Sequence, residues 1–284
     1  PPRSTLFPYT TLFRSLIAVD KSTGRIVARD AERIAPRIVH CQWSSPSLGT
    51  AGGRRLLVLA GADAVVYAFE PLAGLPSSAG PVSLRCVWRH DLDPGTVKEA
   101  ACELNGTRTT GGPSTIFALP VFVGGRIYTT VGGDRWWGKR EARMVCLDAA
   151  DPEGDGSVAL RWQVPLVRHC MSTPAVSGGL AFVGDSGRVL HCVDAETGAG
   201  LWTHDLEGEV SGSPLVADGK VFIGTQRGRL FAFAASREKR VLGTTQVEGA
   251  IWGTPAAANR TLFVASMRRL YAVRSEPPAG GRAQ

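Results

Sequence analysis

The chain has 284 residues, 44% of them hydrophobic and 20% charged, with a formal net charge of +7. That balance provides for a buried core and excludes a disordered polyelectrolyte, and no apolar run approaches the roughly 18–20 residues that cross a bilayer. The positive charge sits on scattered arginines, with short runs such as Arg268-Arg269, rather than on a stripe interleaved with aromatics, so no nucleic-acid partner is expected.

Residues 1–15, PPRSTLFPYTTLFRS, repeat Thr-Leu-Phe and match nothing downstream. They lack the apolar core and cleavage site of a secretory signal. They are expected to be a non-native, adapter-derived leader, with a genuine leader of unusual composition as the alternative. AVDKSTGRIVA (18–28) follows, in which Asp20 and Gly24 bracket an Asp-x-x-Thr-Gly turn. The carboxylate can accept turn amides and the glycine supplies a left-handed residue. Next comes HCQWSSPSLG (40–49), then a Pro-, Gly- and Ser-rich insertion at 71–83, a strand ending Val87-Trp88 and a second insertion at 93–113.

From Pro120 the chain repeats. PVFVGGRIYTT, PAVSGGLAFVG, PLVADGKVFIG and PAAANRTLFVA start at Pro120, Pro174, Pro214 and Pro255. Each carries an aromatic eight residues on (Tyr128, Phe182, Phe222, Phe263) and a turn at the fourth and fifth positions. Gly-Gly and Asp-Gly between apolar runs signal two-residue hairpins with positive φ; Asn259-Arg260 is the weakest of the set. A second strand pair follows each hairpin, clearest in GRVLHCVDAETGAGLWTHDL (187–206), where Trp202 is placed to pack between neighbouring sheets. CLDAADPEGDGSVALRW (146–162) is a degraded copy, and a third insertion occupies 132–143. Pro174 to Pro214 spans 40 residues and Pro214 to Pro255 spans 41. Four strands at that period predict an all-β chain, a β-propeller of four-stranded antiparallel blades. Parts of six blades are visible across residues 16–274, and 275–284 is expected to be a disordered tail. Closure as six blades would have Leu16–Val27 complete the last one.

The Asp-x-x-Thr-Gly-x-x-x-Trp element of 194–202 and the Ser/Thr-Pro starts resemble the pyrroloquinoline-quinone (PQQ)-type propeller repeat. The resemblance covers roughly 16–274 and extends to the large PQQ-like propellers of environmental bacteria and to the barrel-assembly lipoprotein. It implies seven or eight blades in the whole protein, and a monomeric propeller in the periplasm or outside the cell. In the family's dehydrogenases it implies PQQ held with Ca²⁺ by carboxylates and amides, an Asp base, a stacking Trp and a vicinal disulfide. This chain has six cysteines, none adjacent to another. No Asp or Glu falls in the Ser/Thr-Pro connectors, so no cofactor is evident.

The remaining candidates are contacts for a protein, peptide or glycan. Trp43 and Trp252 precede their connector prolines and either stack on a ligand or close the channel mouth. Trp136-Trp137, beside Arg135, Lys139 and Arg140, suits a partner surface or burial against a neighbouring blade. His40-Cys41, His169-Cys170 and His191-Cys192 raise a soft-metal reading. Strand neighbours point to opposite faces, however, which leaves each Cys as a small apolar residue. Asp151-x-Glu153-x-Asp155-Gly156 begins like a calcium loop, but Trp162 stands where the bidentate Glu belongs, so an acidic turn is expected. The reading is a non-catalytic binding propeller, with a PQQ- and calcium-dependent dehydrogenase as the alternative.

Overall fold

The computed structural model describes residues 16–38, 41–77, 80–98, 112–134, 139–150 and 158–274. The expected leader and tail, and the calcium-like turn at 151–157, lie outside the described residues. The chain forms two compact units, Pro1–Pro174 and Ala175–Gln284. Among the described residues no helix is long and apolar enough to cross a membrane.

In the first unit a hairpin of β1 (Ile17–Val19) and β2 (Ile26–Asp30) precedes one 3-10 turn, Ala35–Arg37. Then come β3 (Ser47–Ala51), β4 (Arg54–Ala60), β5 (Val65–Phe69), β6 (Val82–Leu84) and β7 (Cys86–Asp91). They are followed by β8 (Val121–Val123), β9 (Arg126–Gly132), β10 (Ala142–Asp148) and β11 (Leu160–Leu166). Two four-stranded blades result, ordered β3-β4-β5-β7 and β8-β9-β10-β11. The insertion at 71–83 is more than a loop. Its β6 runs parallel to β2, with Ala28 opposite Val82, and makes a three-stranded sheet β1-β2-β6. The driving force is apolar: Leu84 is buried with Ala28, Leu59 and Phe69. The early hairpin therefore takes its extra strand from residues 82–84, and this sheet departs from the antiparallel pattern expected of every blade.

The second unit holds β12 (Ala175–Ser177), β13 (Leu180–Gly184), β14 (Val189–Asp194) and β15 (Gly200–Asp205) as one blade. A second blade consists of β16 (Leu215–Ala217), β17 (Lys220–Gly224), β18 (Arg229–Ala234) and β19 (Val241–Gln246). A final sheet has three strands, β20 (Ala256–Ala258), β21 (Thr261–Ala265) and β22 (Leu270–Arg274).

The turns form as their residues dictate. Gly178-Gly179 adopt φ of 58° and 75°, and Asp218-Gly219 adopt 51° and 66°. Asn259-Arg260 take 50° and 60°, so even the arginine is held left-handed. In the Asp-x-x-Thr-Gly turn the Asp194 carboxylate accepts the amides of Glu196 and Thr197 at 3.0 and 2.9 Å, and Gly198 has φ 73°. The Asp20 turn repeats this, with the Ser22 amide at 2.9 Å and Gly24 at φ 72°. Arg237 of the next blade donates to Asp194 at 2.7 Å, and this bond with the turn donors holds the carboxyl down at about 2.

One row of side chains recurs across the blades. It reads Ala175, Phe182, Cys192, Trp202 in β12–β15, and Val121, Tyr128, Cys146, Trp162 in β8–β11. In the β3 blade it reads Ser47, Val58, Ala68, Trp88. A small residue on the third strand makes room for the tryptophan on the fourth. The Trp202 ring lies 5.9 Å from Phe182 and 5.7 Å from Phe233 of the next blade. Its Nε1 donates to the Ser236 carbonyl at 3.0 Å. This is the packing between sheets that the repeat predicts. Just past the row the register slips in all four blades, at Ala68/Phe69, Cys146/Leu147, Cys192/Val193 and Ala232/Phe233. Bulges of this kind bend and twist the outgoing strand. Gly224 serves packing as well: a Cβ there would meet the Ile251 side chain at 2.3 Å.

Trp202→Ala should cost about 3 kcal/mol, read as a lowered urea midpoint; a loss under about 1 kcal/mol would place the blade seam elsewhere. The Asp194 carboxyl, about 2 in the folded chain against 3.8 normally, gives stability that is present above pH 3.8 and lost as pH falls through about 2. Arg237→Ala should move the carboxyl ¹³C titration of Asp194 upward, and an unmoved curve would show that the cross-blade ion pair does not hold it.

Candidate functional site

Ser/Thr-Pro connectors lead into first strands, and the hydroxyls of Thr173 and Thr254 have a defined task. The Leu119 amide donates to Thr173 Oγ1 at 3.0 Å, and the Ser213 amide donates to Thr254 Oγ1 at 2.9 Å. The residue before one proline is thus fastened to the hydroxyl residue before the next. Connectors also bind the turns between second and third strands. Gln42 Nε2 donates to the Ala60 carbonyl at 2.9 Å and its Oε1 accepts the Ala62 amide at 2.7 Å. In the second unit Gln226 Nε2 donates to Ser211 Oγ at 2.8 Å. Connectors and these turns therefore share one rim in each unit.

Three residues before the connector prolines stand Trp43, Phe117, Met171, Ser211 and Trp252. Trp43 is 44% exposed and Trp252 45%. Trp43 leans on buried Phe117, with ring centroids 4.9 Å apart. Neither tryptophan is buried. His169 is half-buried beside buried Cys170. His40, Trp136 and Trp137 lie outside the described residues.

Two buried polar clusters on the rim carry no local sequence signal. Asp63, fully buried, accepts Arg37 Nε at 2.9 Å and the Tyr67 hydroxyl at 2.6 Å, and Arg37 Nη2 donates to that hydroxyl. Burial and then the adjacent carboxylate push the Tyr67 phenol far above its usual value. Arg37 and Tyr67 line a cavity of about 680 Å³ with Arg89, His90, Asp91 and Lys98. Lys98 pairs with Asp91, and Arg89 with Glu32 at 3.0 Å, so the walls are polar and charge-balanced. In the second unit His191 Nε2 lies 2.8 Å from Asp185 Oδ2, both buried. Cys192 points the other way into the apolar core, and burial pushes its thiol up to about 12.

The His-Cys pair at 191–192 is therefore split between two faces, as strand alternation requires. Among the described residues no three His, Cys, Asp or Glu side chains come together to hold a metal. Asp63 is committed to Arg37 and Tyr67, and Asp185 to His191. The described rim thus does not fit a calcium-bound quinone. Trp162 is buried against Tyr128, with ring centroids 5.8 Å apart.

Residues 153–236 and 210–277 match the family model described as outer membrane protein assembly factor BamB. In sequence the chain is 28% identical over 152 residues, 47% of its length, to a quinohemoprotein alcohol dehydrogenase of Comamonas testosteroni. It is 33% identical over 112 residues, 35% of its length, to a 1-butanol dehydrogenase (cytochrome c) of Thauera butanivorans. These matches span only 22% and 16% of the two relatives. In structure the chain is similar to BamB of Moraxella catarrhalis, with TM-score 0.62 and 15% identity over 93% of this chain and 67% of that one. It is also similar to the computationally designed protein Ika8, with TM-score 0.56 and 9% identity over 92% and 66%. The likeness to BamB shows the fold, a β-propeller.

Tyr67→Phe removes one donor from a buried carboxylate and should cost about 2 kcal/mol in urea denaturation. Arg37→Met leaves that carboxylate without its cation and should cost about 3–5 kcal/mol. Equal losses for the two would contradict the role given to Arg37.

Proposed function

We propose that this chain, a β-propeller of PQQ-like repeats, is a non-catalytic binding and scaffold module for a protein, peptide or glycan outside the cytoplasm. One observation carries the reading: Trp43 and Trp252 stand half-exposed at the same connector position, while the buried carboxylates of the rim are committed to internal partners. Flat aromatic faces on the connector rim of each unit supply contact area at low entropic cost. His40, Trp136, Trp137 and His169 are further contacts in this reading. The match to a family described as an outer membrane protein assembly factor supports a protein ligand and an envelope location.

A second reading, a quinoprotein dehydrogenase acting on alcohols or sugars with PQQ and calcium, is favoured by the similarity to two alcohol dehydrogenases. In such an enzyme the cofactor supplies the redox chemistry.

Capture from the envelope fraction of the source organism tests the first reading. Trp43→Ala with Trp252→Ala should weaken retention of the captured ligand about tenfold or more, and unchanged retention would remove the rim from the model. Dye-linked alcohol oxidation on adding PQQ and Ca²⁺ would instead establish the second.

A further inference from the structure

The cavity beside Arg37 is built on two paired strands. In β5 and β7, Val65 stands opposite Asp91 and Tyr67 opposite Arg89, so the four share one face of the sheet. All four line the cavity, with Arg37 from the 3-10 turn and residues 94–98, which follow β7. Its volume of about 680 Å³ lies within the range of roughly 300–1,000 Å³ that small-molecule sites occupy.

The charged groups around this space are tied down and only partly used. Arg37 turns Nε and Nη2 to Asp63 and Tyr67, both fully buried, and its Nη1 has no partner among the described residues. Arg89 donates from Nη1 to Glu32 and keeps Nη2. Asp91 accepts the Asp93 amide and buried Lys98 on the same oxygen, Oδ1, which leaves Oδ2. Two donor edges and one acceptor therefore stand on side chains that internal partners hold in place before any ligand arrives.

The balance of charge selects among ligands. Three cations, Arg37, Arg89 and Lys98, are matched by three carboxylates, Asp63, Glu32 and Asp91. An ionic ligand would bring a charge with no counter-ion into a space from which it displaces water. An apolar ligand would strip water from the guanidinium and carboxylate edges without replacing their hydrogen bonds. A hydroxyl both donates and accepts, so a ring carrying several of them can satisfy both kinds of edge at once. Val65, Pro94 and Val97 give apolar contact for the C–H face of such a ring.

We propose that this cavity is a binding site for a neutral mono- or disaccharide, held by Arg37, Arg89 and Asp91, with Asp63 and Tyr67 positioning Arg37. Neither Trp43 nor Trp252 lines the cavity, and the site does not rest on the ligand reading given for them.

The probes are maltose, cellobiose and N,N′-diacetylchitobiose, with glucuronate as the charged comparison. Each is titrated into the full chain at about pH 8, where an ordinary imidazole is neutral, and binding is followed by amide NMR shifts and calorimetry. At least one neutral sugar should saturate, with shifts concentrated in residues 65–67 and 89–98. No heavy atom lies within 4 Å of where a Cβ on Gly95 would sit, so Gly95→Trp can fill the cavity and should abolish binding. The Arg89 side chain is 65% exposed, so Arg89→Met leaves the fold intact and should weaken binding about tenfold. Trp43→Ala with Trp252→Ala should leave binding unchanged. Failure of all three neutral sugars at tens of millimolar overturns the proposal, as does binding indifferent to both Gly95→Trp and Arg89→Met. Glucuronate binding more tightly than every neutral sugar would make the site an anion site and overturn it equally, and loss of binding in the double tryptophan variant would move the sugar to the connector rim.

Discussion

A sheet has two faces, and among the described residues one 3-10 turn is the only helical element that could cover either. Every blade must therefore be covered by its neighbour, and that demand shapes the rest of the structure. The seam between the β12–β15 and β16–β19 blades shows how it is met. Trp202 bridges Phe182 and Phe233, and Leu190, Ile223 and Phe231 fill the space around them. A tryptophan can reach across only if the third strand keeps small residues beneath it, which is why Cys192 sits at that point. The bulge beside the row bends and twists the last strand, whose indole touches both its own sheet and the next.

Polar groups reinforce the same seams. Arg237 crosses to Asp194, the Trp202 indole donates to the carbonyl of Ser236, and Thr254 receives the amide of Ser213. Each of these bonds joins two consecutive blades. The repeat motif is thus mostly an interface motif: its Asp, Trp and Ser/Thr-Pro residues keep adjacent sheets in register. Retention of those residues says little about chemistry, because each is already occupied in holding the fold.

Much of this was legible in the sequence because the devices are local. A Gly-Gly turn, an Asp-x-x-Thr-Gly turn and a fixed distance from proline to aromatic each lie within about ten residues, and their φ values and hydrogen bonds follow from residue type. What was not legible is non-local. The three-residue strand Val82–Leu84 sits in a Pro- and Gly-rich stretch too short to show alternation, and only its parallel pairing with Ala28–Asp30 makes it a strand. The Arg37–Asp63–Tyr67 cluster joins residues 26 and 30 positions apart, with no spacing rule to expose it. Of the candidate contacts, Trp43 and Trp252 were found by their distance from the connector prolines, and the structure leaves both half-exposed. The buried carboxylates carry no such marker, because Asp63 and Asp185 stand not in the connectors but in the turns beside them.

That placement bears on how a β-propeller could recruit a catalytic centre. A carboxylate can serve a metal or a substrate only if its lone pairs are not already committed. Asp63 faces a guanidinium and a phenol, and Asp185 faces an imidazole, so both are satisfied within their own surroundings. Removing such partners leaves a buried charge at a cost of several kcal/mol, so recruitment of these positions to chemistry would require the cation or the imidazole to be replaced together with its environment. The exposed tryptophans carry no comparable constraint. About half of each ring is exposed and neither neighbours a buried carboxylate in need of a cation, although Trp43 rests on Phe117 of the next connector.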